Sequence, residues 1–364
     1  MNHYFFTGCP GFIANRLIPR LLETRNDIGN IYLLVLPEME GRARGLVEQW
    51  RSQYAPDEER FHILVGDITK KDLGLKENRL AELQITVTHV FHLAAIYDLA
   101  VPRDPAYRVN VDGTRNVNEW VKSLKNLTRY IYFSTAYVAG TRTGIIKEDE
   151  LIRPEEFKNY YEESKFEAEV LVEDLKREIP LTIIRPGIVK GHSQTGETGK
   201  FDGPYMFLNL IDKLRNIPVF PRIGNPEVKV NLVPVDFVLD AVLYLSHAER
   251  GAGKTYHLTD PNPYTVEEIY ALLLREMLGR RPKGRLPISI SRFLLSFPGI
   301  RKKLRIEKET LDYLNWRAEF DCRIAQADLA GTGIACPDFK EQVPSMVKFY
   351  LEHKDDENYQ IPIR

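Results

Sequence analysis

Apolar residues in the first half of the chain gather into short, nearly continuous runs, separated by stretches in which they recur at helical spacing. The runs are His3–Thr7, Ile31–Leu36, Phe61–Val65, Val87–Leu93, Arg129–Ser134 and Leu181–Arg185, all rich in Val, Ile, Leu, Phe or Tyr. Continuous rather than alternating apolar character marks strands covered on both faces, as in parallel sheets. Between the first two runs Phe12, Ile13, Leu17, Ile18, Leu21 and Leu22 return at the helical period, and Asp104–Leu124 can hold a further helix. This alternation predicts βαβ units and an α/β fold, a doubly wound parallel sheet.

Beyond Arg185 the alternation stops. Residues 190–232 are Gly-, Pro- and aromatic-rich, with only short regular pieces. Val233-Pro-Val-Asp236 leads into an apolar helix over Phe237–Leu245, with Asp236 as its expected cap. Asp260-Pro-Asn-Pro263 is a break, after which Thr265 caps a helix reaching Met277, and the tail reads as mostly helical. The expected division is a core over residues 1–189 and a mixed region over 190–364. Within the latter, 228–258 returns to the core, while 190–227 and 259–364 form a smaller, mainly helical lid over the substrate.

Composition narrows the function classes. Fifty basic residues against 51 acidic leave a net charge of −1 over 364 residues, which gives no global attraction to nucleic acid. Three cysteines, Cys9, Cys322 and Cys336, without C-x-x-C spacing, suit neither a disulfide framework nor a zinc site. No histidine pair has ligand spacing beside carboxylates, so no metal is expected. No apolar stretch approaches the ~18 residues of a membrane span, and no signal peptide is read at the N-terminus. The expectation is a soluble, cytoplasmic protein.

The first strand opens into Thr7-Gly8-Cys9-Pro10-Gly11-Phe12-Ile13-Ala14 at the start of a helix. A glycine turn lets backbone approach a pyrophosphate, which the free amides and positive dipole end of the helix then hold. Alone, this Gly-x-x-Gly-x-x-Ala pattern is equally a plain tight turn; its place after the first strand favours binding. Gly66-Asp67-Ile68 closes the third strand and Leu93-Ala94-Ala95 the fourth, at the strand ends where ligands of open α/β sheets sit. Asp67 alone would read as a turn cap. The second strand ends Val35-Leu36-Pro37 without the carboxylate expected for NAD, and Arg42 and Arg44 follow. Two guanidiniums there suit a 2′-phosphate, hence NADP with NAD as the alternative, although both could be solvated helix charges.

The fifth strand ends on Ser134-Thr135, and Tyr161-Glu-Glu-Ser-Lys165 follows on a helix. Spacing of i, i+4 puts Tyr161 and Lys165 on one face. An ammonium beside the phenol is expected to lower its pKa from ~10, so that Tyr161 exchanges a proton with a carbonyl or alcohol oxygen while Thr135 hydrogen-bonds the same oxygen. Such a Tyr/Lys pair is common on ordinary helices. Its order after the glycine turn and the Ser-Thr strand end is what makes it chemical.

Together these motifs resemble the extended short-chain dehydrogenase/reductase superfamily. The matching residues are Thr7-Gly8-x-x-Gly11-Phe12-x-Ala14, Gly66-Asp67, Leu93-Ala94-Ala95, Asn110-Val-x-Gly113-Thr114, Ser134-Thr135, Tyr161-x-x-x-Lys165, Arg185-Pro186-Gly187-Ile188-Val189 and Val233-Pro-Val-Asp236. The resemblance implies a Rossmann fold, Lys165 on the nicotinamide ribose, Asn110 at the cofactor site, and the backbone of Pro186, Gly187, Ile188 and Val189 beside the carboxamide. It also implies either a homodimer paired through the Tyr-bearing helices or a monomer.

Ala94-Ala-Ile-Tyr-Asp-Leu-Ala-Val101, Arg185-Pro-Gly-Ile-Val-Lys-Gly191, Ser193-Gln-Thr-Gly-Glu197 and Asp202-Gly-Pro-Tyr205 bring it closer to the fatty acyl-CoA reductase and thioester reductase branch. Leu36 departs from that branch, many of whose members carry Arg there. The implied reaction is NADP(H)-dependent reduction of an acyl thioester, free or on a carrier protein, or of the related aldehyde. Nucleotide-sugar epimerisation or dehydration with NAD, ketone reduction, and cofactor binding without turnover are the alternatives.

Some features stay outside this reading. Cys9 fits packing better than nucleophilic chemistry, and His89 and His92 fit buried, hydrogen-bonded roles. Residues 287–304 mix aliphatics and aromatics with a basic end. They suit a helix packed on the lid, or else peripheral contact with a membrane or acyl chain.

Overall fold

Phe5 and Phe6 show how the sheet divides its core. In strand β1 (Asn2–Thr7) successive side chains point to opposite faces, and Tyr4, Phe5 and Phe6 are all fully buried. Tyr4 and Phe6 join Leu17, Ile18, Phe91, Val238 and Val242 on one face, whereas Phe5 joins Tyr32, Val90, Trp120 and Tyr130 on the other. The computed structural model describes residues 1–54, 59–223, 225–286, 289–290, 293, 296–305 and 310–361.

Six further strands pair in parallel with β1 in one sheet: β2 (Ile28–Val35), β3 (Phe61–Val65), β4 (His89–His92), β5 (Arg129–Phe133), β7 (Leu181–Pro186) and β10 (Lys254–Leu258). Their spatial order is β3-β2-β1-β4-β5-β7-β10, so the winding reverses between β1 and β4. Beyond the carboxyl ends of those two strands lies the crevice that such sheets use for ligands. Helices α1 (Ala14–Thr24), α2 (Glu40–Tyr54) and α8 (Val235–His247) cover one face. Helices α3 (Glu77–Thr86), α5 (Gly113–Lys122) and α6 (Tyr160–Glu173) cover the other.

Local departures from the sequence reading have local causes. The helix expected over 104–124 is divided into α4 (Arg103–Ala106), a π-helical stretch Tyr107–Asp112, and α5. Single π turns of this kind gather at functional sites, and this one carries Asn110. Asp236 does not cap α8: Pro234 holds that position, and the carboxylate, two residues on in the first turn, accepts from Ser193 N at 2.8 Å and Ser193 Oγ at 2.5 Å. The tail contains a strand, β11 (Ala318–Phe320), which pairs in parallel with β6 (Gly144–Ile146). A second small pair joins β8 (Ile188–Lys190) to β9 (Leu232–Pro234).

Helices α7 (Tyr205–Lys213) and α9 (Val266–Leu278) and the helix Phe339–His353 share a separate core that includes Phe201, Tyr205, Ile269, Leu273 and Met346. As its sequence predicts, Thr265 caps α9, and the structure adds the reciprocal bond from Glu268 that makes a capping box. Of the segment 287–304, residues 287, 288, 291, 292, 294 and 295 lie outside the described residues. Ile300 and Leu304 pack against Val228, Val266 and Leu314, whereas Ile290, Phe293 and Phe297 are exposed. Among the described residues no helix is long and apolar enough to cross a membrane.

Three histidines are buried in this frame and a fourth, His247, is half-buried: His89, His92 and His257 are pushed down to about 3 and His247 to about 4, chiefly by desolvation. Each stays neutral when folded yet charges when unfolded below its ordinary value, 6.5. Their contribution is therefore whole above that pH and is lost as pH falls toward 4, at up to about 1.4 kcal/mol per pH unit each. Burial lifts Glu148 to about 7 and Asp202 to about 6; these bind protons in the folded state and offset part of the loss. The melting temperature should fall steadily between pH 6.5 and 4.5, with net proton uptake on unfolding by calorimetry in buffers of different ionisation enthalpy. A flat profile would contradict the buried-neutral assignment.

Candidate active site

The glycine turn sits against β4. Gly8 has φ +84°, and a Cβ there would stand 2.7 Å from Ala94 N; one on Gly11 would stand 2.6 Å from Gly8 O. The turn closes through Gly11 N donating to Gly8 O at 2.7 Å. Among the described residues the amides of Phe12 and Ile13 make no backbone hydrogen bond before α1 begins, the usual state of amides at a helix N-terminus and one that suits an anion. Arg42 on α2 is exposed and close enough to Cys9 to stabilise its thiolate, but burial dominates and lifts that thiol to about 12. Arg44 is engaged elsewhere, on Glu40 at 2.5 Å. Asp67 closes its own turn by accepting from Thr69 N and Oγ1, each at 2.8 Å, beside the buried Ile68.

At the other end of the crevice Tyr161 occupies the first turn of α6, whose N-cap Asn159 accepts from Glu162 N at 2.9 Å. Its phenol is buried against Ile96, Leu99, Val101 and Ala106, with the edge-on ring of Tyr97 at 5.2 Å. Thr135, at the end of β5, hydrogen-bonds it. Burial pushes the phenol above its ordinary value despite that bond. The sequence reading expected the opposite shift from Lys165. The difference lies in where the ammonium goes: Lys165 Nζ donates to Tyr132 Oη at 2.9 Å and to the Phe133 carbonyl at 2.7 Å. Burial lowers Lys165 itself to about 7, with Glu169 opposing.

Asn110 is fully engaged by protein. Its Oδ1 accepts from Ile96 N at 2.8 Å, and its Nδ2 donates to Ser164 Oγ at 2.9 Å and to the Ile96 carbonyl at 3.3 Å. It ties the loop after β4, which holds Ala94 and Ala95, to α6. Pro186 ends β7, and Gly187, Ile188 and Val189 run on into β8. A Cβ on Gly187 would meet Asn231 O at 2.8 Å, so this backbone lies flush against β9.

Residues 6–242, more than half of the chain, match the family profile described as male sterility protein, an NAD-binding domain. The chain belongs to the male sterility protein family. Within that family's wider circle it is 28% identical over 270 residues to a non-canonical nonribosomal peptide synthetase of Aspergillus campestris, covering 70% of this chain and 25% of that protein. It is 26% identical over 326 residues to a Drosophila melanogaster protein described as a fatty acyl-CoA reductase, covering 77% of this chain and 59% of that one. This chain thus spans a quarter of the fungal synthetase and under two thirds of the fly protein. Among solved structures, the terminal R domain of the myxalamid PKS-NRPS pathway superposes with TM-score 0.80 at 26% identity, covering 97% of this chain and 91% of that one. With that membership goes the fold of the extended short-chain dehydrogenase/reductase superfamily, built on an NAD(P)-binding domain.

Sequence reasoning passed over Tyr132, Glu169 and Tyr313. Glu169 was within reach, one more i+4 step from Lys165. Its carboxylate accepts from Ser134 Oγ and from Arg185 Nε at 2.7 Å. Tyr313 had no local signal; it arrives from the tail, accepting from Asn159 Nδ2 at 2.9 Å and donating to Glu162 at 2.7 Å. Gly8→Ala should weaken nicotinamide dinucleotide binding roughly tenfold or more, through positive φ and the clash at Ala94. Isothermal titration would measure it, and undiminished affinity would remove Gly8 from the site.

Proposed function

We propose that the chain is an NADPH-dependent reductase of an acyl thioester with a hydrophobic chain, free or on a carrier protein, or of the related aldehyde. The observation that carries this reading is a neutral, buried Tyr161 phenol joined to Thr135 beside an apolar wall, in the crevice that also holds the glycine turn. The naming of relatives as reductases and peptide synthetases supports a thioester substrate. Arg42, exposed near the turn and without an ion pair among the described residues, supports a 2′-phosphate, as does the lack of a carboxylate at the end of β2.

A bound reduced nicotinamide would supply hydride to the carbonyl carbon. The residues that fit such a group are Gly8, Gly11, Phe12 and Ile13 at the pyrophosphate, Arg42 at the 2′-phosphate, Lys165 at the ribose, and the Gly187–Val189 backbone at the carboxamide. A phenol kept protonated by burial is suited to donate: Tyr161 Oη gives its proton to the carbonyl oxygen as charge develops there. Thr135 holds the same oxygen in line and hydrogen-bonds the phenolate left behind. Loss of the thiol from the resulting tetrahedral carbon, with the proton passing to sulfur, yields the aldehyde.

With a long-chain acyl-CoA, NADPH consumption should require the thioester. In Tyr161→Phe, kcat should drop by about 10²–10⁴-fold while NADPH binding persists. Normal turnover by that variant would sink the assignment. Arg42→Ala should raise the Kd for NADPH about tenfold and leave NADH unchanged; equal effects on both would count against the 2′-phosphate.

A further inference from the structure

A row of buried polar groups crosses the apolar sheet between the two ends of the crevice. Lys165 Nζ bonds Tyr132 Oη and the Phe133 carbonyl and lies 4.4 Å from the Tyr132 ring centroid. The Tyr132 hydroxyl also meets Thr114. Thr114 Oγ1 lies 3.1 Å from His92 Nε2, and His92 Nδ1 lies 2.7 Å from Thr7 Oγ1. Thr7 Oγ1 accepts from the amides of Leu93 and Ala94 at 3.2 and 3.1 Å, directly behind the glycine turn. Thr7, His92, Thr114 and Tyr132 are each at most 1% exposed.

Donor counting gives the row a direction. Thr7 receives two backbone N–H groups, so its own hydroxyl proton goes to His92 Nδ1. Neutral His92 then carries its proton on Nε2 and donates to Thr114. Stability does not account for such a row. Apolar residues of the same shape would be neutral or stabilising in a core otherwise built of Val, Ile and Phe. What the row does deliver is placement. Strand β5 fixes two of the three ammonium donors of Lys165 and leaves one.

We propose that Tyr132 is a positioning residue for Lys165, and that Thr7, His92 and Thr114 behind it tie the lysine's placement to the glycine turn. This rests on the role given to Lys165 above. Without the Tyr132 hydroxyl the buried ammonium loses an acceptor, the neutral amine is favoured, and the titration of Lys165 moves to lower pH.

The test compares Tyr132→Phe with Tyr130→Phe, which removes an equally buried hydroxyl of the same strand that donates to Asn118 at 2.9 Å. In Tyr132→Phe the alkaline limb of kcat/KM, and that of nicotinamide dinucleotide binding followed by fluorescence, should move down by about one pH unit. In Tyr130→Phe both limbs should stay in place although the melting temperature falls comparably. Unmoved limbs in Tyr132→Phe, or equal movement in both variants, would overturn the proposal. The binding limb needs no acyl substrate, so it decides the matter even if no thioester is turned over, while undiminished turnover by Tyr161→Phe would overturn the catalytic reading alone.

Discussion

One buried ion pair sets the geometry on which the crevice depends. Glu169 and Arg185, almost wholly buried, meet at 2.5 Å, joining α6 to β7. Glu169 also takes the Ser134 hydroxyl at the end of β5, and Arg185 reaches the Glu150 carbonyl at 3.0 Å and His257 at 3.3 Å. Removing one partner from such a pair typically costs about 3–5 kcal/mol, because the other is left charged and dry. The pair therefore fixes the face of α6 that carries Tyr161 and Lys165 against the strand that ends in Thr135. Helix, strand and loop meet there in one arrangement.

The parallel sheet does the rest of the gathering. Every strand points its carboxyl end the same way, so Thr7, His92, Phe133 and Pro186, far apart in sequence, finish on one rim. The switch between β1 and β4 opens the space that the glycine turn lines. Asn110 then staples the loop after β4 to α6, with the π turn presenting its amide. The Tyr161 end and the glycine-turn end of the crevice are thus held by different contacts but share one frame.

Much of this was legible in the chain. Buried parallel strands write themselves as continuous apolar runs, and the glycine turn announces its own backbone. The Tyr161–Lys165 spacing placed both side chains on one helix face, but spacing alone does not say where an ammonium points. The carbonyl of Phe133 and the hydroxyl of Tyr132 claim it, and neither is visible as a pattern. The same holds for Asp236, whose Val-Pro-Val-Asp context looks like a cap until the Ser193 loop folds onto it. β11 went unnoticed in a tail read as mostly helical because three residues carry little periodicity, and its partner lies more than 170 positions earlier. Tertiary partners, rather than local propensity, decide such cases.

The position of Glu148 has a consequence for the order in which the molecule can be made. Its carboxylate accepts from His257 N and Ala325 N at 3.0 Å and from Ile324 N at 2.6 Å. A ribosome that has delivered only the first 250 residues has supplied none of those donors. Strands β1 to β5 are all delivered before those donors, whereas the segment after β6 waits for partners 109 to 177 positions later. The surroundings of Glu148 are thereby completed only by chain that lies up to 177 positions further on.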